Sequence, residues 1–375
     1  MTDEIEAHVL SRFDIRNKLG KGAYGVVWKG VDRMSQSTVA VKKCFDAFRN
    51  ATDAQRTYRE VMYLQALAGH ENIVQLLHVI RSERDQDLYL TFECMETDLQ
   101  VVIRANILQE VHQKYIVYQM LKALKYIHSA GLIHRDIKPS NVLLNSKCDA
   151  KLCDFGLVCS VAEVGNSKRL LTDYVATRWY RSPEVLVGST QYSQAIDMWA
   201  VGCVVGEMIS TSPIFQGANT MNQIGKIFEL HGAPTKEDIE ALKAPNAKTM
   251  IESISFSSQR SLADICSGAS LEALDFMHQT LQISPLKRCT AEEGLKHPYV
   301  KDFHRPASEP KFPHGDIRIK ISDDAKLSSD DYRNHLYAEM IKRRKEIKET
   351  SRRRFQRVGP AATAPDVQND DSVAS

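Results

Sequence analysis

The 375-residue sequence lacks the features that mark several specialised classes of protein. No apolar run approaches the roughly 18 residues that a membrane-spanning helix needs, which argues against an integral membrane protein. The acidic N-terminus has no basic stretch followed by an apolar one, and neither end carries a lipidation motif, so we expect no secretory signal and no lipid anchor. The net charge is only +2, so the overall charge of the chain does not favour the binding of polyanions.

Paired cysteines are also missing from this sequence. Its eight cysteines are dispersed, and none of them forms a C-x-x-C pair. In a chain of this length, such a distribution is typical of reduced core thiols and not of a disulfide framework. We therefore expect the protein in the cytoplasm, the nucleus or both.

Two patterns of residues divide the body of the chain. Residues 13–100 contain short β-type runs separated by Gly and Ser, with one helix over residues 51–67. From about residue 98 the pattern becomes mainly helical. An apolar stripe with helical spacing marks this second part: Ile116, Met120, Leu124 and Ile127. The sequence thus predicts an α+β protein with a small β-rich lobe and a larger helical lobe.

The last part of the chain differs in composition. Residues 305–340 are predicted to form an extended connector and then a docking helix, because apolar residues recur at every fourth position from Tyr332 to Met340. Residues 341–375 are predicted to be a tail, basic at first and then disordered. Within it, residues 341–357 hold nine Lys or Arg and two Glu, a net +7, so the remainder of the chain carries −5.

Three interpretations of this basic run stay open. It could be a solvated helix end, a nuclear-import or nucleic-acid segment, or a segment that binds an anionic membrane surface. Aromatic residues are not interleaved with the basic ones beyond Phe355, so base stacking is poorly supported. We do not expect nucleic acid as a partner.

A glycine-rich stretch near the N-terminus fits a phosphate-binding turn. It reads Gly20-Lys-Gly22-Ala-Tyr-Gly25-Val-Val27. Glycine allows backbone N–H groups to approach phosphates closely, although a plain hairpin turn or a dinucleotide-binding fold also fits the pattern alone. A dinucleotide fingerprint should open a helix and meet an acidic residue about 20 positions later. Here β-type residues follow, and Lys42 stands at that distance, which favours a hairpin over nucleotide phosphates with a strand lysine beneath.

Two further motifs supply oxygen ligands and a base. They are His134-Arg-Asp136-Ile-Lys138-Pro-Ser-Asn141 and Asp154-Phe-Gly156. Asp136 and Asn141 are close enough to present a base and a metal ligand from one loop, and Asp154 adds a second oxygen ligand. Mg²⁺ prefers such ligands together with phosphate oxygens.

Together these motifs resemble those of the eukaryotic protein kinases, over residues 13–304. The resemblance implies a bilobal fold, with an N-lobe of about residues 13–95 and a C-lobe of about residues 96–304. It also implies transfer of the ATP γ-phosphate with the help of Mg²⁺. Four residues would then be catalytic: Lys42, Glu60, Asp136 and Lys138. Two would hold Mg²⁺: Asn141 and Asp154. The nucleotide would contact Leu19, Gly20, Gly22, Tyr24, Gly25, Val27, Ala40, Lys42, Phe92, Glu93, Met95 and Asp98.

The resemblance also suggests how adenosine would be recognised. Phe92 matches the gatekeeper position behind the adenine, and the backbone C=O of Glu93 and N–H of Met95 would bond the purine edge. Asp98 would bond the ribose, with a surface helix cap as the alternative. Two further matches concern the family's buried scaffold, and we interpret them as structural: Asp197 and the pair Glu184/Arg288.

The stretch from Thr172-Asp-Tyr174 to Glu184 resembles the activation segment of mitogen-activated protein kinases. The resemblance implies activation by phosphates on Thr172 and Tyr174, and protein substrates in which proline follows the target Ser or Thr. The arginines expected to receive these phosphates are Arg56, Arg59, Arg135, Arg178 and Arg181. A solvated helix face remains the alternative for the first two. The stretch from Lys320 to Tyr337, together with Lys151-Leu-Cys-Asp154, resembles the atypical mitogen-activated protein kinase 15 branch.

Three departures from the family pattern affect regulation. Cys159 replaces an arginine that would bind phosphothreonine, and Asp173 stands between the two phosphorylation sites. Arg305 and Ser308 stand where docking acids are usual, leaving Asp302 and Glu309. These replacements disfavour docking of partners with basic motifs, and we expect self-phosphorylation as an alternative to an upstream kinase.

Two functions other than catalysis make different predictions. A catalytically inactive scaffold predicts the loss of Lys42, Asp136 or Asp154, and all three are present. A nucleic-acid binder that uses the basic run predicts strongly salt-dependent binding. We expect a monomeric serine/threonine protein kinase that acts on protein substrates.

Overall fold

The computed structural model describes residues 3–22, 25–164, 177–255, 260–322 and 325–357, without the side chains of 347, 348 and 350–357. The first lobe contains α1 (Ala7–Arg12), β1 (Phe13–Gly22), β2 (Gly25–Asp32), β3 (Thr38–Cys44), α2 (Ala51–Ala66), β4 (Leu76–Arg81) and β5 (Leu88–Glu93). The second lobe begins with β6 (Thr97–Asp98), α3 (Leu99–Ala105), α4 (Glu110–Ser129), β7 (Leu132–Ile133), β8 (Val142–Leu144), β9 (Ala150–Leu152) and β10 (Cys159–Ser160). It continues with α5 (Pro183–Leu186), α6 (Ala195–Ser210), α7 (Thr220–His231), α8 (Lys236–Ala241), α9 (Ala247–Glu252), α10 (Leu262–Ile265), α11 (Leu271–Thr280) and α12 (Ala291–Lys296). The C-terminal extension ends in α13 (Ser329–Arg357).

The first lobe is an antiparallel sheet in the order β1-β2-β3-β5-β4. Successive side chains of a strand point to opposite faces, and β3 uses both faces. Val39 and Val41 pack with Val9 of α1 on one face, whereas Ala40 joins the main core on the other. The sequence did not predict α1, which covers the first of these faces with the buried Val9.

The second lobe is built around α4 and α6. The predicted stripe of α4 is buried throughout: Ile116, Met120, Leu124 and Ile127. Helix α6 is buried on nearly all sides and holds Trp199, whose ring stacks on Phe215 at 5.6 Å between centroids. A β-rich lobe followed by a helical lobe confirms the predicted α+β class.

Helix α13 returns to the first lobe. Ser328 and Asp331 exchange hydrogen bonds at its start, which caps the helix. Tyr332 and Leu336 are buried, and the ring of Tyr332 lies 5.9 Å from that of Tyr58 on α2. The extension thus packs directly on α2.

In the described part of the chain, no helix combines the length and the apolar character that crossing a membrane requires.

Candidate active site

A cavity of about 540 Å³ lies where the sheet faces the loops of the second lobe. Its volume is in the range of small-molecule sites. The sequence-predicted residues that line it are Leu19, Gly20, Gly22, Gly25, Val27, Ala40, Lys42, Arg56, Glu60, Phe92, Glu93, Met95, Asp98, Asn141 and Asp154. The predicted nucleotide contact Tyr24 lies outside the described residues.

The ion pair between Lys42 and Glu60 joins the sheet to α2. Lys42 Nζ lies 2.7 Å from Glu60 Oε1, and both side chains are largely buried. Burial alone would lower the pKa of Lys42, but the Glu60 carboxylate raises it above its usual value. The lysine is therefore held as a cation at the cavity wall, where it can meet a phosphate.

The glycine-rich hairpin forms the roof of the cavity. A Cβ added to Gly20 or Gly22 would meet no heavy atom within 4 Å, so glycine leaves open space there. A Cβ on Gly25 would instead lie 2.1 Å from the carbonyl oxygen of Lys43. Close packing of β2 on β3 thus requires glycine at position 25.

The inner wall and one rim of the cavity contain the residues expected to bind adenosine. Phe92, with 8% of its surface exposed, lies on β5 opposite Ala40. The side chain of Asp98 accepts a hydrogen bond from Val101 N at 3.0 Å, so it caps α3 as well as lining the cavity. Both interpretations of Asp98 are therefore compatible with its position.

Three residues of the catalytic-loop motif contact one another. Lys138 Nζ lies 2.8 Å from Asp136 Oδ2, and Asn141 Nδ2 donates to the same carboxylate at 2.9 Å. Burial raises the pKa of Asp136, although the Lys138 ammonium acts in the opposite direction. A raised pKa brings a carboxylate closer to the range in which it can accept a proton at neutral pH.

Asp197 of α6 holds the backbone of this loop from below. Its carboxylate accepts hydrogen bonds from the backbone N–H groups of His134 at 2.9 Å and Arg135 at 2.8 Å. Arg135 has φ +67°, a left-handed conformation that costs free energy in a non-glycine residue. Burial opposes ionisation of Asp197, but hydrogen bonding from His128 lowers its pKa. A buried, charged acceptor therefore stabilises the strained turn.

Asp154 contacts Arg56, one of the arginines expected to receive phosphate. The Arg56 guanidinium lies 3.3 and 3.4 Å from the two carboxylate oxygens. Burial would raise the pKa of Asp154, but Arg56 and Lys42 lower it to about 2. A Cβ on Gly156 would lie 2.6 Å from Arg56, so glycine makes room for this contact.

The residues present fit a magnesium site in donor type. Asp154 is an ionised carboxylate at neutral pH, since its pKa is about 2. Asn141 uses its amide nitrogen to bond Asp136, which leaves its amide oxygen as the atom that could coordinate. Carboxylate and amide oxygens are ligands that Mg²⁺ accepts.

The other expected phosphate-receiving arginines have different surroundings. Arg135 donates to the carbonyl of Leu157 and, at 2.7 Å, to the hydroxyl of Tyr192. Arg178 begins a short 3₁₀ turn that ends at Tyr180. Arg59 and Arg181 are half-buried. Thr172 and Tyr174, the expected phosphorylation sites, lie outside the described residues.

The structure also clarifies two departures from the family pattern. Cys159 is buried in a small apolar cluster with Ile133 and Tyr192, so this position supplies no cation. Glu309 is 2% exposed and accepts hydrogen bonds from His304 and from the backbone of Arg305. It is an internal anchor of its own turn and not an exposed docking acid.

Some lining residues were not predicted from the sequence. Val74 and Leu143 also line the cavity. Leu143 could have been inferred from the alternation of the strand after Asn141, but Val74 precedes β4 and has no sequence signal that distinguishes it from a core residue.

Comparison with known proteins agrees with this geometry. Residues 13–300 match the family described as protein kinase domain. The chain is 52% identical over 367 residues to extracellular signal-regulated kinase 2 of Dictyostelium discoideum, which covers 97% of this chain and 98% of that protein. It is 49% identical over 355 residues to mitogen-activated protein kinase 15 of Xenopus laevis, covering 93% of this chain and 60% of the longer frog protein.

A fungal relative extends the similarity. Mitogen-activated protein kinase PMK1 of Pyricularia oryzae is 41% identical over 313 residues, covering 83% of this chain and 87% of that protein. Protein kinases in general use ATP and Mg²⁺, and the cavity carries residues suited to both. The chain belongs to the protein kinase family and, within it, to the mitogen-activated protein kinases, which are serine/threonine protein kinases.

Proposed function

We propose that this kinase transfers the γ-phosphate of Mg·ATP to Ser or Thr followed by Pro in protein substrates. The observation that carries this proposal is the joint placement of the Lys42–Glu60 pair and of Asp154 around one cavity, with the Asp136–Lys138–Asn141 cluster beside it. We assign catalysis to residues 13–304.

The proposed chemistry gives each residue a separate task. The substrate hydroxyl oxygen bonds to the γ-phosphorus as the bond to the β,γ-bridging oxygen breaks, and ADP leaves with that electron pair. Asp136 orients the hydroxyl and takes its proton, while Lys138 and Lys42 offset negative charge on the phosphates. Asn141 and Asp154 would hold Mg²⁺, which supplies charge neutralisation when bound.

Proline selectivity supplies the most direct test of the substrate class. Proline has no backbone N–H. If the substrate site offers no acceptor at the position after the target Ser or Thr, every other residue there binds less well, because its N–H is left unpaired. We expect a kcat/KM at least about tenfold higher for a Ser-Pro peptide than for the matched Ser-Ala peptide. Equal rates for the two peptides would contradict the proposed selectivity, whereas no transfer to either would contradict the activity.

We propose that phosphates on Thr172 and Tyr174 switch the enzyme on. Arg56 contacts Asp154 at 3.3 Å, and a guanidinium there competes with Mg²⁺ for the same carboxylate. A phosphate on Thr172 would offer Arg56 a doubly charged alternative, which frees Asp154. Self-phosphorylation or an upstream kinase would supply the phosphates.

Replacing Arg56 with Ala should uncouple activity from this switch. We expect kcat/KM of the unphosphorylated enzyme to rise roughly tenfold, since a charge-assisted contact to Asp154 is lost, and that of the phosphorylated enzyme to fall. Peptide phosphorylation before and after phosphatase treatment measures both. The control is Arg49→Ala, because Arg49 is exposed and pairs with Asp53 at 3.1 Å. A lower activity of unphosphorylated Arg56→Ala would overturn the competition with Mg²⁺.

We further propose that the enzyme acts as a monomer in the cytoplasm, the nucleus or both. All eight of its cysteines are free, as suits a reducing compartment. Residues 305–340 serve as an extension that docks on the kinase body, and residues 341–375 form the tail.

A further inference from the structure

The N-terminal segment of residues 3–12 forms a strap across the outer face of the first sheet. Val9 of α1 is fully buried in a cluster with side chains of β3. Lys43 of β3 donates to the carbonyl oxygen of Glu4 at 2.8 Å. Its neighbour Lys42 lines the cavity, and successive side chains of a strand point to opposite faces. The strap therefore lies on the face of the sheet that is turned away from the cavity.

Contacts with the sheet fix the course of this strap up to its first described residue. The backbone N–H of Glu6 donates to the hydroxyl of Tyr89 on β5 at 3.3 Å. Ile5 is half-buried against an apolar cluster that includes Trp28 of β2. Asp3, two residues before Ile5, is thus presented from a backbone that the sheet holds in place.

Asp3 reaches from the strap to the strand that carries the glycine-rich hairpin. Its carboxylate lies 2.7 Å from Lys18 Nζ and 3.0 Å from Lys21 Nζ. Lys21 stands between Gly20 and Gly22, and these three residues line the cavity. Hydrogen bonds from Lys18 and Lys21 lower the pKa of Asp3, so its carboxylate is ionised at neutral pH. One charged group therefore connects the strap to the hairpin at two points.

The strand that receives these contacts has little other support. In the described part of the chain, β1 is an edge strand that pairs with β2 alone. Its register is irregular on both sides of Lys18, and every residue from Arg16 to Gly22 is exposed. Segments with little burial open at a low cost in free energy. Contacts that hold this end of β1 therefore affect how often the hairpin is in place over the cavity.

We propose that Asp3 is a positioning residue that tethers the glycine-rich hairpin in its place as the roof of the cavity and thereby slows the release of ADP. Asp3 itself does not line the cavity, so it would act through Lys18 and Lys21. Its two contacts stabilise the arrangement in which the roof is complete. This inference rests on the proposed use of ATP in the cavity, and it adds a residue that controls the lifetime of the product complex.

Loss of the Asp3 charge has two consequences of opposite sign. Without the tether, the hairpin leaves its place more often, and ADP is released faster. Without the negative charge, the neighbouring cations attract the anionic nucleotide more strongly, and ADP is released more slowly. The direction of the change in release rate therefore separates tethering from electrostatic attraction alone.

Stopped-flow release of a fluorescent ADP analogue, chased with excess ATP in the presence of Mg²⁺, tests the tether with the full chain. We expect Asp3→Asn to raise the release rate about threefold to fivefold, the size that an exposed ion-pair network can contribute. Asp3→Glu keeps the charge and should restore a rate within about twofold of wild type. The rate of phosphoryl transfer in a single turnover should stay within about twofold for both variants, because Asp3 does not touch the reacting atoms.

Asp14→Asn is the matched control for this measurement. Asp14 lies on β1 and is 35% exposed, compared with 39% for Asp3, but it pairs with Arg16 at 2.5 Å and not with the hairpin lysines. It should release ADP at the wild-type rate. Adding Lys18→Gln to Asp3→Asn should change the rate by less than about 1.5-fold, because the contact between these two residues is already lost.

The possible results separate the tether from the proposed function. Release by Asp3→Asn at the wild-type rate or more slowly would overturn the tether, and so would an equal acceleration by Asp14→Asn. In both cases ADP binding by wild type would leave the proposed use of ATP intact. Failure of wild type to bind the ADP analogue at all would overturn the proposed use of ATP together with the tether.

Discussion

Asp136→Asn should lower kcat for peptide phosphorylation by about 10³-fold and leave KM for ATP within about threefold of its wild-type value. Asparagine keeps the size of the side chain but cannot accept the proton of the substrate hydroxyl. The carboxylate lies 2.8 Å from Lys138 and receives the Asn141 amide at 2.9 Å, so its position is set before substrate arrives. A loss confined to kcat would show that Asp136 acts in the transition state and not in nucleotide binding.

Asp302→Asn is the control for this prediction, because Asp302 is an exposed carboxylate of the same type. It should retain wild-type kcat. A kcat for Asp136→Asn within about tenfold of wild type would show that Asp136 does not take part in the chemistry.

The same variant tests self-activation. Wild type incubated with ATP should acquire phosphate on Thr172 and Tyr174, and Asp136→Asn should not. Mass spectrometry detects the phosphate.

Arg288→Met should destabilise the second lobe by about 3–5 kcal/mol. Arg288 makes a two-pronged pair with Glu184, at 2.6 and 2.8 Å, with 0% and 1% of the side chains exposed. It also donates to the carbonyls of Ala195, Gln282 and Ile283. Removing the guanidinium leaves a buried carboxylate and three carbonyls without this partner. The midpoint temperature of thermal unfolding should fall by roughly 10 °C.

Arg16→Met provides the comparison, since Arg16 pairs with Asp14 but is 61% exposed. Exposed ion pairs contribute little to stability, so we expect the free energy of unfolding to change by less than about 1 kcal/mol. If Arg288→Met were no more destabilising than Arg16→Met, the buried pair would not be a structural anchor. Circular dichroism during urea unfolding measures both variants.

Much of the site could be predicted because its residues lie close together in the sequence. Asp136, Lys138 and Asn141 fall within one turn-rich stretch of six residues, and local geometry alone brings them into contact. The pairing of Lys42 with Glu60 could be expected only from the resemblance, because it depends on how α2 packs against the sheet. Composition and periodicity carry no information on that packing.

Other features escaped prediction for physical reasons. The contact of Arg56 with Asp154 spans 98 residues and depends on the free space at Gly156. Glu309 looked like an exposed docking acid, yet the turn formed by His304 and Arg305 buries it. The left-handed conformation of Arg135 is stabilised by a hydrogen bond to Asp197, which lies 62 residues away. Each outcome was decided by tertiary structure, which overrides the preferences of a local stretch.

The claim that these residues form one phosphoryl-transfer site can be tested in a single measurement. Labelled γ-phosphate is followed from ATP to a Ser-Pro peptide with wild type and Mg²⁺, wild type and EDTA, and Asp154→Asn with Mg²⁺. We predict label on the serine in the first reaction and a loss of at least about 100-fold in the other two. Transfer by Asp154→Asn within about threefold of wild type would contradict the account.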